Sequence, residues 1–373
     1  MPIWISEPVE LSAHLAPLST QPTSARVGLD TEFVRERTYW PQLALVQIAI
    51  ADTILLVDPL VPGMTAALAP LLVDANVLKV MHSASEDLVA LKHACGVVPT
   101  PLFDTQIAAA LSGVGAGVGY QRLVQDTLDV ALQKGETRSD WLRRPLSPSQ
   151  LEYAADDVCH LFALHDRLQA RLHEHGRGHW LIEDCARMIS NAQRDELERW
   201  PHLSMRAAHY FDAPAQHRLL RLLRWRDLQA RDSDRPRSWI LDNELATLLA
   251  RTPPANRLAL QTQLDAHPKA PRKLGDALWH ALNTPLHDET DAPPVRGDER
   301  DKQAMRRLQE AVSQRSAELG LPDGVLASRR WLESLLDSGE WPQALAGWRR
   351  GELETKLAPV LASDDQTQTE VTG

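Results

Sequence analysis

Asp30 and Glu32 stand two residues apart in an apolar run, VGLDTEFV, that otherwise reads as a buried strand. Side chains at i and i+2 of a strand share a face. Two carboxylates are therefore aimed at one spot, with Leu29, Thr31 and Phe33 on the opposite face. Burying like charges side by side is costly unless a cation lies between them. A second acidic group comes from HSASEDL. There the strand VLKVMH runs out at His82, Ser83 and Glu86 have capping-box spacing, and Asp87 falls in the first turn of a helix. The end of a strand is where open α/β sheets place functional groups. A third comes from LEYAADDV, where Tyr153 and Asp157 are four apart and share a helix face. Asp156 points about 100° away around the helix, toward solvent or a supporting role. Asp30, Glu32, Asp87 and Asp157 thus come from one strand and two helices, yet can reach one cleft. Oxygen-only ligands select hard divalent ions such as Mg²⁺ or Mn²⁺. Two such ions about 3.5–4 Å apart are the usual device for in-line phosphodiester hydrolysis.

Each fragment alone also has an inert reading: a solvated strand face, compensation of a helix dipole, an ordinary i, i+4 pair. The elements around them decide whether they can meet. IWIS reads as a short strand and PVELSAHLAPL as a helix. ARVGLDTEFV, QLALVQIAI and TILLVDPL read as three strands, the last two joined by a tight hairpin at Ala51 and Asp52. TAALAPLLVDA is helical, VLKVMH a strand, and SEDLVALKHAC a helix ending at Gly96. Beyond PLFDT the pattern is helical to about residue 190, with Asp104 read as structural. Antiparallel strands followed by alternating helix and strand imply a mixed sheet with helices on its faces.

From about residue 195 strand signals stop, and residues 206–286 read as one helical bundle. HDETDAPPVRGDERD, residues 287–301, has the composition of a linker. A second helical set follows over 302–362, and 363–373 reads as a disordered tail. At 373 residues the chain exceeds one ordinary core. It has no run apolar enough to span a bilayer, and its first residues carry no secretory pattern. Cys95, Cys159 and Cys185 are widely spaced, which argues against a disulfide or zinc-thiolate framework and for a reducing cytoplasm. Residues 1–190 hold 14 Lys and Arg against 22 Asp and Glu, whereas 206–273 hold 13 against 7. An acidic first half with a locally basic second half suits a metal site joined to a phosphate-contacting region.

The segments LDTEF, HSASEDL and YAADDV resemble the three exonuclease motifs of the DEDD superfamily, and the Tyr four residues before the last Asp marks its tyrosine-bearing branch. LDTEFVRERTYWPQLALVQIA and GETRSDWLRRPLSPSQLEYAADDV are similar to bacterial ribonuclease D, and the similarity spans nearly the whole chain. RPRSWILDNELATLLARTP resembles the HRDC domain of that family, a helical nucleic-acid-binding module. LASRRWLESLL and GWRRGELETKLAPVL resemble its more divergent second unit. The resemblance implies an α/β RNase H-like exonuclease domain over 1–195, a mixed sheet with helices on both faces, followed by two all-α HRDC-type bundles. It implies that Asp30 bridges two divalent ions, that Glu32 and Asp157 complete the ligands of the ion holding the attacking water, and that Asp87 serves the other ion. Tyr153 would orient that water. The implied reaction removes 5′-mononucleotides from RNA 3′ ends, with tRNA precursors as substrate, in a cytoplasmic monomer.

Tyr39, Trp40 and Gln42 follow the first motif and are candidates to wall the pocket of the terminal base, because aromatic stacking holds single-stranded ends without sequence preference. A core corner around Pro41 explains them equally well. Arg221 and Arg224, with Arg218 one turn earlier, are candidate phosphate contacts, against a plain solvated helix face. GVGAGVGY lacks the final Gly of a dinucleotide loop, since Tyr120 stands there. HEHGRGH lacks zinc-protease spacing. Two other functions stay open on the residues alone: a 3′–5′ DNA exonuclease, since the metal chemistry is blind to the sugar, and a catalytically silent RNA-binding scaffold.

Overall fold

The computed structural model describes residues 1–20, 25–132, 135–136, 139–293 and 302–371. Along the chain run β1 (Ile3–Ile5), α1 (Pro8–Leu15), β2 (Ala25–Val34), β3 (Gln42–Ile50), β4 (Thr53–Val57), α2 (Met64–Val73) and β5 (Val77–Met81). After them come α3 (Ser85–Cys95), β6 (Leu102–Asp104), α4 (Thr105–Leu111), α5 (Tyr120–Leu128), α6 (Pro148–Cys159), α7 (Leu161–Glu174) and α8 (Gly178–Gln193). Helices follow: α9 (Ala213–Asp232), α10 (Arg237–Ile240), α11 (Asn243–Arg251), α12 (Arg257–Ala266) and α13 (Gly275–Asn283), then α14 (Lys302–Leu319), α15 (Arg329–Ser338) and α16 (Trp348–Val371). The chain divides into two units. One comprises Met1–Val34, Pro41–Arg194 and Asp301–Gly373, the other Arg35–Trp40 and Asp195–Arg300.

In the first unit the described strands form one six-stranded sheet in the order β1-β4-β3-β2-β5-β6. β2, β3 and β4 pair antiparallel, while β1 with β4, β2 with β5, and β5 with β6 pair parallel. This is the mixed sheet that the strand pattern predicts, with the hairpin closing at Ile50 and Thr53. Ala51 takes a left-handed φ of 49°, as such a two-residue turn requires. β3 is apolar almost throughout because both its faces are covered. Val46 and Ile48 join Leu29, Leu55 and Val57 in one core. Ala44 and Leu45 join Leu56, Trp141, Leu146 and Ala154 in another. Gly28 lets α6 and α7 approach the sheet: a Cβ there would meet Leu161 at 3.2 Å and the Val158 carbonyl at 3.4 Å.

The helical set from Lys302 on belongs to this same unit rather than standing apart as a separate domain. Leu308, Leu332, Leu335, Leu353 and Leu357 continue the core of the sheet and its helices. Trp180 of α8 stacks on Trp348 of α16, with ring centroids 4.2 Å apart. Asp184 of α8 accepts two hydrogen bonds from the Arg349 guanidinium, at 2.6 and 2.8 Å, and one from the Trp348 indole at 3.0 Å. Composition hid this, because a helix closing another domain's core has the same amphipathic pattern as one in its own bundle. α16 also runs to Val371, through the stretch expected as a disordered tail. After Pro359 that stretch holds no Gly or Pro up to Val371 to stop it.

The second unit packs Leu219, Leu222 and Leu223 of α9 against Leu245, Leu249, Leu260, Leu264, Leu278 and Leu282. Its boundary lies beyond the composition-based one. Asp288 and Glu289, which fall in the expected linker, are buried against Arg224 and Arg221. Residues 294–301 of that linker lie outside the described residues.

Candidate active site

The first motif is held by β2, whose register sets its depth. β2 pairs with the parallel β5 only as far as Gly28 opposite Val80, so Asp30 and Glu32 lie on the stretch of β2 that runs on past this pairing. Beyond that end the chain turns through Ser83, at φ 57°, into α3. The capping box expected from Ser83 and Glu86 is not formed: the N-cap is Ala84 and no side chain of this segment caps the helix. The buried Asp104 does two jobs there. It accepts hydrogen bonds from the Gln106 and Ile107 amides to cap α4, at 2.8 and 3.0 Å, and one from the Ala84 amide at 2.8 Å to hold the start of α3. Asp87, buried in the first turn of α3, accepts a 2.5 Å hydrogen bond from the Thr31 hydroxyl, so β2 orients it directly.

The third motif is carried by α6, which opens with a complete capping box between Ser147 and Gln150 and lies across β2, β3 and β4. Arg144 ties the segment before it to the sheet, with two hydrogen bonds to Asp58 at 2.7 and 2.8 Å and one to the Ala44 carbonyl at 2.6 Å. At the far end, the Tyr120 hydroxyl donates to the Asp156 carbonyl and accepts from the His160 amide. Tyr153 and Asp157 share the inner face, close enough for phenol and carboxyl to shift one another's acidity. The Tyr153 ring fills the space that a side chain at Gly135 would need: a Cβ there would stand 1.7 Å from a ring carbon.

These carboxyls feel one another strongly. Burial, and then the charges of Asp87, Asp157 and Glu32, hold the Asp30 carboxyl well above the usual range. Burial followed by Asp157 and Asp87 pushes Glu32 up to about 8. Burial raises Asp87 against the Thr31 hydrogen bond, and raises Asp157 against the lowering effect of the Tyr153 phenol. The Tyr153 phenol is raised by burial and by the charge of Asp157, so it keeps its proton at neutral pH. All five expected residues therefore share one electrostatic neighbourhood. They do not form a ready cage: among the described residues no group of three or more His, Cys, Asp or Glu is arranged to hold a metal ion. The donor set is nonetheless all oxygen, crowded and anionic, which is what a hard divalent ion needs.

The residues expected to hold substrate fare differently. Arg221 pairs with Glu289 and donates to the Leu282 carbonyl. Arg224 pairs with Asp288 at 2.8 Å and donates to the Arg199 carbonyl. Their side chains are only 14% and 15% exposed, so they fasten the helical unit instead of presenting charge to phosphates. Tyr39 is buried with Ala230 and Ile240, and its hydroxyl accepts from Arg237 and donates to Asp227. It anchors residues 35–40 to the helical unit and is not free to stack on a base. Trp40 packs beside it with the Arg231 guanidinium 5.0 Å from its ring. Gln42, the first residue of β3, is exposed.

Thr31 and Gly135 escaped the motif reading, whereas Asp104 has the structural place expected of it. Thr31→Val should lower kcat about tenfold and also lower the melting temperature, since one hydrogen bond to a charged group is worth roughly 1.5–3 kcal/mol and buried Asp87 is left without it. Single-turnover kinetics beside thermal melting checks this, and unchanged kcat would remove Thr31 from the site.

A mixed sheet of this order, with acidic groups gathered where its strands end, defines an RNase H-like 3′–5′ exonuclease. A family model described as a 3′–5′ exonuclease matches residues 2–173. Ribonuclease D of Xanthomonas oryzae pv. oryzae is 61% identical over 366 residues, covering 98% of this chain and 100% of that one. Ribonuclease D of Pseudomonas paraeruginosa is 38% identical, covering 96% and 97%. The crystal structure of Escherichia coli RNase D, described as an exoribonuclease involved in structured RNA processing, superposes with a TM-score of 0.82 at 27% identity, covering 97% of this chain and 99% of that one. The chain belongs to the ribonuclease D family and is a 3′–5′ exoribonuclease. Exonucleases of its superfamily generally use divalent metals. No helix among the described residues is long and apolar enough to cross a membrane.

Proposed function

We propose that Asp30, Glu32, Asp87 and Asp157 hold two divalent ions, Mg²⁺ or Mn²⁺, with Asp30 shared between them, and that the enzyme trims extra residues from the 3′ ends of tRNA precursors. The observation that supports the metal reading is the burial of these four carboxyls, which raises each of them, together with the charges of Asp87, Asp157 and Glu32 that raise Asp30 further; a bound cation would offset both. When bound, such ions supply positive charge at the phosphodiester and make water more acidic. The chain's own residues do the placing. Tyr153 stays a phenol beside Asp157, and is suited to hold a water in line rather than to act as a strong base. Thr31 sets the rotamer of Asp87. Gln42 remains the candidate for contact with the terminal nucleotide. The helical segments 206–286 and 302–362 are read as HRDC-type units that dock structured RNA, in a cytoplasmic monomer.

A 3′-extended tRNA and a matched single-stranded DNA, each incubated with Mg²⁺ and with EDTA, test the reading. RNA shortened one nucleotide at a time, 5′-mononucleotides as product and full arrest in EDTA are expected. Equal trimming of the DNA would favour the DNA exonuclease instead, and activity in EDTA would refute the metal assignment.

A further inference from the structure

Gln47 stands in the middle of β3, directly opposite Asp30 in the antiparallel pair. Opposed residues point to the same face, with Cβ atoms about 4.5–5.5 Å apart. Its side chain is fully buried, yet neither Nε2 nor Oε1 has a hydrogen-bond partner. The residues two before and two after it locate it further. Leu45 packs in a cluster with Ala154, beside the Tyr153 ring. Ala49 lies opposite Gly28, where a Cβ would touch the Val158 carbonyl. Gln47 therefore lies beneath the turn of α6 that runs from Ala154 to Val158 and carries Asp157.

Nothing about the fold asks for an amide there. The strand reads LALVQIAI, and every other residue from Leu43 to Ile50 is apolar. A buried amide with both ends unpaired is destabilising, and native interiors rarely keep one. Its place beside Asp30 indicates a partner that comes into position only in the working site. We propose that Gln47 is a positioning residue: its Nε2 donates to the ionised Asp30 carboxylate and fixes that carboxylate in the orientation that receives a cation. A carboxylate has about four lone-pair sites, so one filled by the amide leaves the others for ligation. The inference rests on Asp30 being a metal ligand.

The test uses the full chain and Gln47→Met, which keeps the shape and removes the donor. Expected are an unchanged or higher melting temperature in EDTA, a Mn²⁺ concentration for half-maximal thermal stabilisation raised about 10–100-fold, and a kcat on a short RNA oligonucleotide lowered by a similar factor at unchanged KM, the range seen when partners of metal ligands are removed. In an Asp30→Ala background the same change should leave the Mn²⁺ midpoint where it is, because the acceptor is already gone. A lower melting temperature in EDTA with the Mn²⁺ midpoint and kcat unaltered would make Gln47 a core residue and overturn the proposal. So would a failure of both Gln47→Met and Gln47→Leu to fold. A wild-type protein that shows no Mn²⁺-dependent stabilisation would refute the metal reading itself, and this inference with it.

Discussion

Asp30→Asn should lower exonuclease activity at least ~10³-fold and, in EDTA, raise the melting temperature by about 2–4 °C for each kcal/mol of repulsion relieved. The two effects have one cause. Asp30 is the carboxyl most hemmed in by the others, with Asp87, Asp157 and Glu32 all pressing on it. Removing its charge relieves them when no cation is present and, on the two-ion proposal, removes a ligand when one is. The pH dependence follows with a definite sign. Glu32 titrates at about 8 in the folded protein against an ordinary value of 4.5. Between these values the unfolded chain has released its proton and the folded chain has not. The contribution of Glu32 is therefore fully present below about pH 4.5 and is lost as pH rises through about 8. In EDTA the wild type should melt progressively lower across this window, and Mg²⁺ should restore it most at the alkaline end. Melting curves over pH 5 to 9 with and without Mg²⁺ measure this. A flat profile in EDTA would mean that the carboxyls do not interact as described.

Asp184→Ala should destabilise the protein by about 3–5 kcal/mol, the cost of leaving one partner of a buried ion pair alone. Asp184 and Arg349 are 8% and 7% exposed, and the Asp184 carboxylate also accepts from Trp348 and lies 3.1 Å from Arg187. Its loss strands the Arg349 guanidinium between α8 and α16. The double change Asp184→Leu with Arg349→Met should recover most of that stability, because a matched apolar pair needs no desolvated charge. Proteolysis should reveal what fails: helices α14 to α16 should be cut first, exposing Leu353 and Leu357 and the core they cover. For the same reason truncation before residue 302 should damage the exonuclease fold and not merely its grip on RNA. A melting temperature unchanged by Asp184→Ala would show that the C-terminal helices are dispensable to the core.

Which side chains share a face was legible in the sequence because it depends on local spacing. Asp30 and Glu32 share a strand face by the period of two, and Tyr153 and Asp157 share a helix face by the period near four, whatever the rest of the chain does. Strand alternation and the Ala51–Asp52 hairpin likewise settled the mixed sheet. Partnership between distant segments was not legible. Arg221 and Arg224 on an exposed helix face would look the same in sequence as the Arg221 and Arg224 that in fact bind Glu289 and Asp288. Tyr39 beside the first motif gave no sign that its hydroxyl belongs to Asp227. Leucines of α14 to α16 follow one helical period whether they fill a bundle of their own or close the core of the exonuclease sheet. Periodicity reports which face of an element is buried, and only the tertiary structure decides what buries it. The same holds for Gln47: its type and its strand came from the sequence, but its place opposite Asp30 came from the register of two strands, which hydrogen bonds between segments set.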